Sequence, residues 1–256
     1  MTEREGVIKY SLDFTEGVLD EPASLEVLNA WRSIFKDTGL LGEDPDRYGG
    51  YGFGNLSVRT ERGFLITGSQ TGNLSTTTSS HYAEVVAWSL EDNAVSAMGP
   101  IRPSSEALTH AAIYDAFESI RYVFHVHSPD IWRQSQWLSL PSTSADIAYG
   151  TVDMALALKK LAVASGPEGI MTMLGHEDGV MSWGASAETA GTHMVCALAQ
   201  AKSSPAAEFE HLGANRAAYS LATAVARNGT NAFCYMAGSG FRPSNRQQRL
   251  VRPVEA

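Results

Sequence analysis

Two histidines separated by one residue are the first side chains in this sequence whose types and spacing suggest chemistry. His125 and His127 lie in the segment 121–129, a run of β-branched and aromatic residues that stops at a proline. Such a run predicts a buried β-strand, on which side chains alternate between the two faces. Both imidazoles therefore point to one face, about 6–7 Å apart. They can bind one metal ion, or they can be two hydrogen-bonded histidines in a polar pocket.

A second group of residues has the chemistry to bind an anion. The strand predicted at 63–69 ends in Thr67, Gly68 and Ser69 and continues into a polar, glycine-containing turn. Hydroxyl groups and backbone N–H groups in such a turn can bind phosphate without a lysine. Local sequence alone favours ordinary turn chemistry over this interpretation.

The start of a predicted helix offers further backbone donors. Ser104 or Ser105 can cap this helix, and Glu106 then lies in its first turn. The free N–H groups at a helix start bind anions, whereas a glutamate there can also serve only to match the helix dipole.

Composition and charge limit the classes of function. The chain has 256 residues, 44% of them hydrophobic, which is enough for one sizeable core. Its formal net charge of −9 and its scattered lysines and arginines argue against a nucleic-acid partner. No apolar run approaches the roughly 20 residues that span a bilayer, and the charged N-terminus does not resemble a signal peptide. Cys196 and Cys234 form no C-x-x-C pair, so we expect reduced thiols and a cytoplasmic protein.

Hydrophobic periodicity predicts the elements that must position these residues. The predicted helices are one that opens at Pro22 and stops at Gly39, the one that starts near Ser104, and those at 153–162, 186–201 and 214–226. The predicted strands are 55–59, 63–69, 122–127, 170–174 and 180–183, and the last two form a hairpin. Residues 82–90 have a mixed period and are either a strand or a buried segment. We interpret residues 1–20 as an irregular or edge-strand lead-in and 129–141 as a loop. The glycine-rich segment 42–54 is either a lid or a plain turn.

Five short motifs, taken in order, resemble those of the class II aldolase/adducin superfamily. They are Gly54-Asn55-Leu56-Ser57, Thr67-Gly68-Ser69, Pro103-Ser104-Ser105-Glu106, His125-Val126-His127, and Gly175-His176-x-x-Gly179-Val180 followed by Gly184-x-Ser186-x-Glu188. The resemblance covers about residues 25–200. It implies a three-layer α/β/α domain on a mostly antiparallel sheet, assembled as a homotetramer with sites near subunit interfaces. We expect a single domain, with a core at about 25–203 and a C-terminal extension at about 204–256.

The resemblance also implies a role for each matching residue. His125, His127 and His176 would be metal ligands, and Glu106 would be a metal ligand, the general base, or both. The expected ion is Zn²⁺, with Fe²⁺ or Mn²⁺ as alternatives. The phosphate cradle would comprise Asn55, Ser57, Thr67, Gly68, Ser69, Ser104 and Ser105.

Two departures of the sequence from the family pattern bear on the predicted site. Glu177 and Asp178 follow the third histidine where glycine is usual, and they are either acceptors for a ligand imidazole or solvated turn residues. The turn after Ser69 continues with Gln70, so the phosphate geometry can differ. No general acid can be placed by motif; the candidates are Tyr149, Tyr219 and Tyr235.

The function implied by the resemblance is that of a metal-dependent lyase of the aldolase type. It would cleave or form a C–C bond next to a ketone in a sugar-phosphate-like substrate, with a metal-stabilised enediolate and proton transfer by Glu106. A dehydratase or decarboxylase would use the same residues. The remaining alternatives are a non-haem Fe(II) oxygenase and a non-catalytic adducin-type scaffold, and the presence of all three histidines and Glu106 argues against the scaffold.

Overall fold

An eight-stranded sheet forms the centre of the computed structural model, which describes residues 6–20 and 23–204. In chain order, the described elements are β1 (Ser11–Glu16), α1 (Leu25–Asp37), β2 (Gly42–Glu43), β3 (Gly52–Phe53), β4 (Asn55–Arg59), β5 (Phe64–Thr67), β6 (Tyr82–Ser89), β7 (Ala94–Gly99), α2 (Ala107–Tyr114), β8 (Tyr122–His127), α3 (Pro129–Arg133), α4 (Val152–Ser165), β9 (Gly169–Thr172), β10 (Gly179–Gly184) and α5 (Ala187–Lys202). Single 3₁₀ turns occur at Tyr48–Gly50 and Ser79–His81.

The strand order in the sheet is β1-β7-β6-β5-β4-β8-β10-β9. Every neighbouring pair is antiparallel except β1 and β7, which run parallel at one edge. The expected mostly antiparallel α/β fold is therefore confirmed. Residues 1–20 were interpreted as an irregular or an edge-strand lead-in, and β1 is such an edge strand. The sheet therefore begins before residue 25.

Helices cover both faces of the sheet and enclose two apolar cores. One core lies under α2 and α4 and includes Ala111 and Leu158. The other lies under α1 and α5 and includes Leu28 and Met194. Because side chains alternate along each strand, one strand supplies residues to both cores. The result is the three-layer α/β/α arrangement expected from the resemblance.

The helix that follows residue 103 begins later than predicted. Neither Ser104 nor Ser105 caps it: the N-cap is Glu106, and the helix begins at Ala107. The reason is that the preceding residues bind the end of β5, with the Ser104 N–H donating to the Thr67 carbonyl at 3.1 Å. Ser104 Oγ instead accepts a hydrogen bond from the Glu106 N–H at 3.3 Å. These contacts hold the two serines in a turn at the end of the sheet.

Other boundaries differ from the prediction in smaller ways. Strand β7 was not predicted, and the predicted loop 129–141 contains α3, whose N-cap Ser128 accepts a hydrogen bond from the Ile131 N–H. The predicted Ser186 cap of α5 is confirmed by its bond from the Thr189 N–H at 3.1 Å. The predicted helix 214–226 and the tail lie outside the described residues. Within the described residues, no helix is long and apolar enough to cross a bilayer.

Candidate active site

His125 and His127 lie at the end of β8, which runs between β4 and β10. Ladder bonds on both sides fix the backbone of this strand, and both histidines are almost completely buried. Their rings converge, so that the two Nε2 atoms are 3.1 Å apart. The alternation predicted from the sequence therefore brings both imidazoles to one point.

The β9–β10 hairpin brings His176 to the same point. A tight turn holds this histidine, with the His176 N–H bound to the Met173 carbonyl and the Gly179 N–H bound to the His176 carbonyl, both at 3.0 Å. A Cβ atom at Gly179 would lie 3.1 Å from the His176 ring, so the glycine leaves room for the imidazole. One ligand nitrogen from each of the three buried histidines lies within 4.8 Å of the others.

The chemistry of these three nitrogens fits a divalent metal ion. His125 Nδ1 lies 3.2 Å from the Val180 carbonyl, and because a carbonyl only accepts, Nδ1 carries the proton and Nε2 presents its lone pair. Nitrogens about 2.0–2.1 Å from a tetrahedral zinc are roughly 3.3 Å apart, close to the observed Nε2 separation. Burial, with the charges of His176 and Arg47, holds the pKa of His127 well below its usual value. That favours the neutral imidazole, which is the form that binds metal.

Glu106 is the carboxylate next to the histidines. It is 2% exposed, and its Oε1 lies 3.9 Å from His176 Nδ1. At the N-cap of α2, this side chain faces the same pocket as His125 and His127. The three histidines and Glu106 therefore form one group, as the motifs predict.

The pocket beside this group has a volume of about 340 Å³, part of it open to solvent. Its lining includes five of the seven residues predicted to form a phosphate cradle: Asn55, Gly68, Ser69, Ser104 and Ser105. Asn55 is the partner of His125 in the β4–β8 ladder, and its buried Oδ1 has no hydrogen-bond partner among the described residues. Three of the four predicted metal ligands, His125, His127 and Glu106, thus line one pocket together with most of the predicted cradle.

The structure does not bring Ser57 or Thr67 to this pocket. Ser57 follows Asn55 on the same face of β4 but lies farther from the strand end, where α2 covers the sheet. Its hydroxyl bonds His110 Nδ1 at 2.7 Å and the Tyr114 hydroxyl at 2.8 Å, and burial lowers the pKa of His110 to about 3. Thr67 Oγ1 accepts a hydrogen bond from the Leu56 N–H at 3.2 Å.

Two aromatic residues that the motifs did not single out pack against His127. The Tyr48 ring packs edge-on against His127 with a centroid distance of 4.6 Å, and Phe53 contacts the same imidazole. The Tyr48 hydroxyl donates to Asp178 Oδ2 at 2.6 Å and accepts from the Arg47 guanidinium at 2.5 Å. Burial and the Asp178 carboxylate raise the pKa of Tyr48 above its usual value, so the phenol stays protonated.

These contacts bear on the solvated-turn interpretation of Asp178, whose observed donor is the hydroxyl of Tyr48, a residue that packs against His127. Asp178 is buried, its φ is +60°, and it bonds a tyrosine that touches a predicted ligand, so it is not a solvated turn residue. Tyr48 also has a positive φ, of +50°. Such strained positions cluster at functional sites. In the sequence, the acidic pair after His176 indicated that Asp178 could have a role. Nothing in the sequence indicated Tyr48, its partner 130 residues away.

Tyr149 contacts the site through its ring. The ring stacks on His176 with a centroid distance of 4.5 Å, and the Lys9 ammonium lies 3.7 Å from the centroid of the Tyr149 ring. The hydroxyl donates to the Val7 carbonyl at 3.3 Å. The other two candidate general acids, Tyr219 and Tyr235, lie outside the described residues.

The fold and the site define an α/β domain with a three-histidine, one-glutamate group at the end of its sheet. The family model described as Class II Aldolase and Adducin N-terminal domain matches residues 46–203. The chain therefore belongs to the class II aldolase/adducin family.

Solved structures with the same fold include two sugar-phosphate aldolases. L-fuculose-1-phosphate aldolase from Thermus thermophilus is 21% identical, with a TM-score of 0.54 over 75% of this chain and 96% of that one. A sugar-phosphate aldolase from Thermotoga maritima is 14% identical, with a TM-score of 0.56 over 75% of this chain and 97% of that one. Identities this low support the fold alone. The search of curated protein sequences returned no match.

Proposed function

We propose that this protein is a divalent-metal-dependent lyase of the aldolase type. It cleaves or forms a C–C bond next to the ketone of a sugar or sugar-phosphate. The observation that carries the proposal is the group of three buried imidazoles, with ligand nitrogens within 4.8 Å of one another, in contact with the pocket that Glu106 lines. Zn²⁺ is the expected ion, and Fe²⁺ or Mn²⁺ would fit the same donors.

The residues divide the chemistry between them. His125, His127 and His176 hold the ion, which when bound supplies positive charge next to the ketone oxygen of the substrate. Glu106 accepts the proton of the hydroxyl whose carbon leaves as the aldehyde, and it returns a proton to the carbon that carried the broken bond. Asn55, Ser69, Ser104 and Ser105 bind the substrate's remaining oxygen atoms.

The proposal also covers the oligomeric state, location and domain organisation of the protein. By resemblance, we expect a homotetramer that acts in the cytoplasm on a small molecule, with no nucleic-acid or membrane partner. We also expect a single domain with a C-terminal extension at about 204–256. Size-exclusion chromatography with light scattering measures the oligomeric state directly.

The first test combines metal analysis with an assay for aldehyde release. Protein purified without added metal or chelator is expected to contain about one zinc per chain and to release aldehyde from ketoses or ketose phosphates. Carbon dioxide release would indicate a decarboxylase, and loss of water a dehydratase. Iron together with oxygen uptake would indicate an oxygenase. Absence of bound metal, with none taken up on titration, would contradict all of the metal-dependent functions.

Glu106→Gln separates metal binding from proton transfer. The amide keeps the size of the side chain but does not act as a base, so turnover is expected to fall at least about a hundredfold while the three histidines keep most of the metal. A variant with normal turnover would mean that Glu106 only caps α2. Loss of the metal in this variant would show that the carboxylate is mainly a ligand.

A further inference from the structure

Most backbone donors of the predicted phosphate cradle are already used within the protein. The N–H groups of Gly68, Ser69 and Ser104 donate to backbone carbonyls at 2.8, 3.1 and 3.1 Å. A group bound in this pocket would therefore not find these three N–H groups free, and it would meet the side chains of Asn55, Ser69 and Ser105.

Gln70 occupies a further backbone donor in the part of the pocket lined by Gly6 and Gly52, which we call the Gln70 end. Its Oε1 accepts a hydrogen bond from the Gly52 N–H at 3.1 Å, which places an amide oxygen where an anion's oxygen would bind that N–H. On its other side, the Gln70 amide lies against Gly6, where a Cβ atom would be 2.0 Å from Nε2. Gln70 thus spans this end of the pocket between Gly6 and Gly52, all three of which line it.

The charge of the pocket agrees with this arrangement. Among the described residues that line it, Glu106 is the single carboxylate and there is no lysine or arginine. Anions are bound most strongly by charge-assisted hydrogen bonds or by several free N–H groups. The Gln70 end of the pocket offers no charged donor, and its Gly52 N–H is occupied by the Gln70 amide oxygen.

We propose that Gln70 is a specificity-determining residue that closes this end of the pocket against a phosphate group. The substrate is then an unphosphorylated polyhydroxy ketone, whose uncharged terminal hydroxyl contacts the side chains of Asn55 and Ser69. This inference rests on the proposed lyase function and narrows its substrate class.

The test uses two ligands that differ only in a phosphate: dihydroxyacetone and dihydroxyacetone phosphate. Their affinities for the zinc-loaded full-length protein are measured by calorimetry, together with the affinity of inorganic phosphate alone. Gln70→Gly removes the side chain, and glycine adopts the φ of +60° at this position without strain. Gln70→Glu keeps the length of the side chain and adds a negative charge.

The wild-type protein is expected to bind dihydroxyacetone phosphate no more tightly than dihydroxyacetone. Gln70→Gly should bind dihydroxyacetone as before but tighten the phosphate ester and inorganic phosphate at least about fivefold, the equivalent of one hydrogen bond. Gln70→Glu should weaken both phosphate ligands further. Zinc content and melting temperature confirm that each variant is folded.

Two outcomes would overturn the inference: a wild-type preference for the phosphate ester of tenfold or more, or phosphate affinities that do not change in Gln70→Gly. A failure of the lyase function is distinguishable from both. In that case neither the wild-type protein nor the two variants would bind dihydroxyacetone. The affinities of the three proteins for inorganic phosphate would still show whether Gln70 excludes an anion.

Discussion

The two ends of the pocket are built from different kinds of structure. At the histidine end, β8 is paired on both sides and the third imidazole comes from a hairpin that is part of the same sheet. At the Gln70 end, the lining residues lie on the loop 68–72, at Gly52 in the two-residue strand β3, and at Gly6. A hydrogen-bonded sheet holds atoms in place more strictly than loops do. The histidine end therefore suits a fixed metal site, and the loop end is where substrate choice can change without disturbing the sheet.

The largest expected effect tests the fixed end. His127→Ala removes one of the three proposed ligands, whose rings converge on a point, so we expect the variant to bind no metal and to lack the proposed activity while its circular dichroism spectrum stays the same. Metal per chain after dialysis measures this. Ser69→Ala, a change at the loop end, is the matched control and should keep the metal. Unchanged metal content in His127→Ala would disprove the assignment of the site.

A smaller effect is expected from the residues that hold His127 in place. Tyr48→Phe keeps the ring contact with His127 but deletes the hydroxyl bond to Asp178, so metal affinity should fall about 10- to 100-fold, the range for groups that orient a ligand. Competition with a chromophoric chelator gives the affinity. Tyr51→Phe, in the same loop, is the control and should bind metal normally. Equal affinities in the two variants would mean that the Asp178 bond does not position the site.

Elements with local sequence patterns could be predicted, and contacts between distant segments could not. β8 and the β9–β10 hairpin were predicted because alternation and turn signals are local, and both histidine motifs lie within them. The assignment of Ser57 used motif membership, but whether a residue of β4 reaches the pocket depends on how far α2 extends over the sheet. The Tyr48–Asp178 contact joins distant segments, and its geometry depends on two residues with positive φ. Neither feature has a local sequence pattern.

Ser57 and Ser69 form a matched pair that separates the core from the pocket. Ser57→Ala would leave the buried Tyr114 hydroxyl and His110 Nδ1 without their shared partner, so we expect the free energy of unfolding to fall by about 1–3 kcal/mol with KM unchanged. Ser69→Ala should raise KM and leave stability unchanged. Urea unfolding and steady-state kinetics on both variants give the answer. A raised KM in Ser57→Ala, without loss of stability, would mean that Ser57 binds substrate as part of the predicted cradle.

The smallest expected effect concerns His110, which lies one helical turn beyond Glu106 but faces the core. Burial lowers its pKa from 6.5 to about 3, so between these values the unfolded chain binds a proton that the folded protein does not. Stability must therefore fall as the pH falls, and from pH 6.5 to 5.5 this histidine accounts for about 1 kcal/mol of that loss. His110→Asn keeps a polar partner for Ser57 and does not titrate, so urea unfolding at the two pH values should show a decrease smaller by that amount. If the free energy of unfolding decreased equally in both proteins, folded His110 would take up a proton as readily as unfolded His110 does. Helix α2 would then carry a positive charge next to the pocket that Glu106 lines.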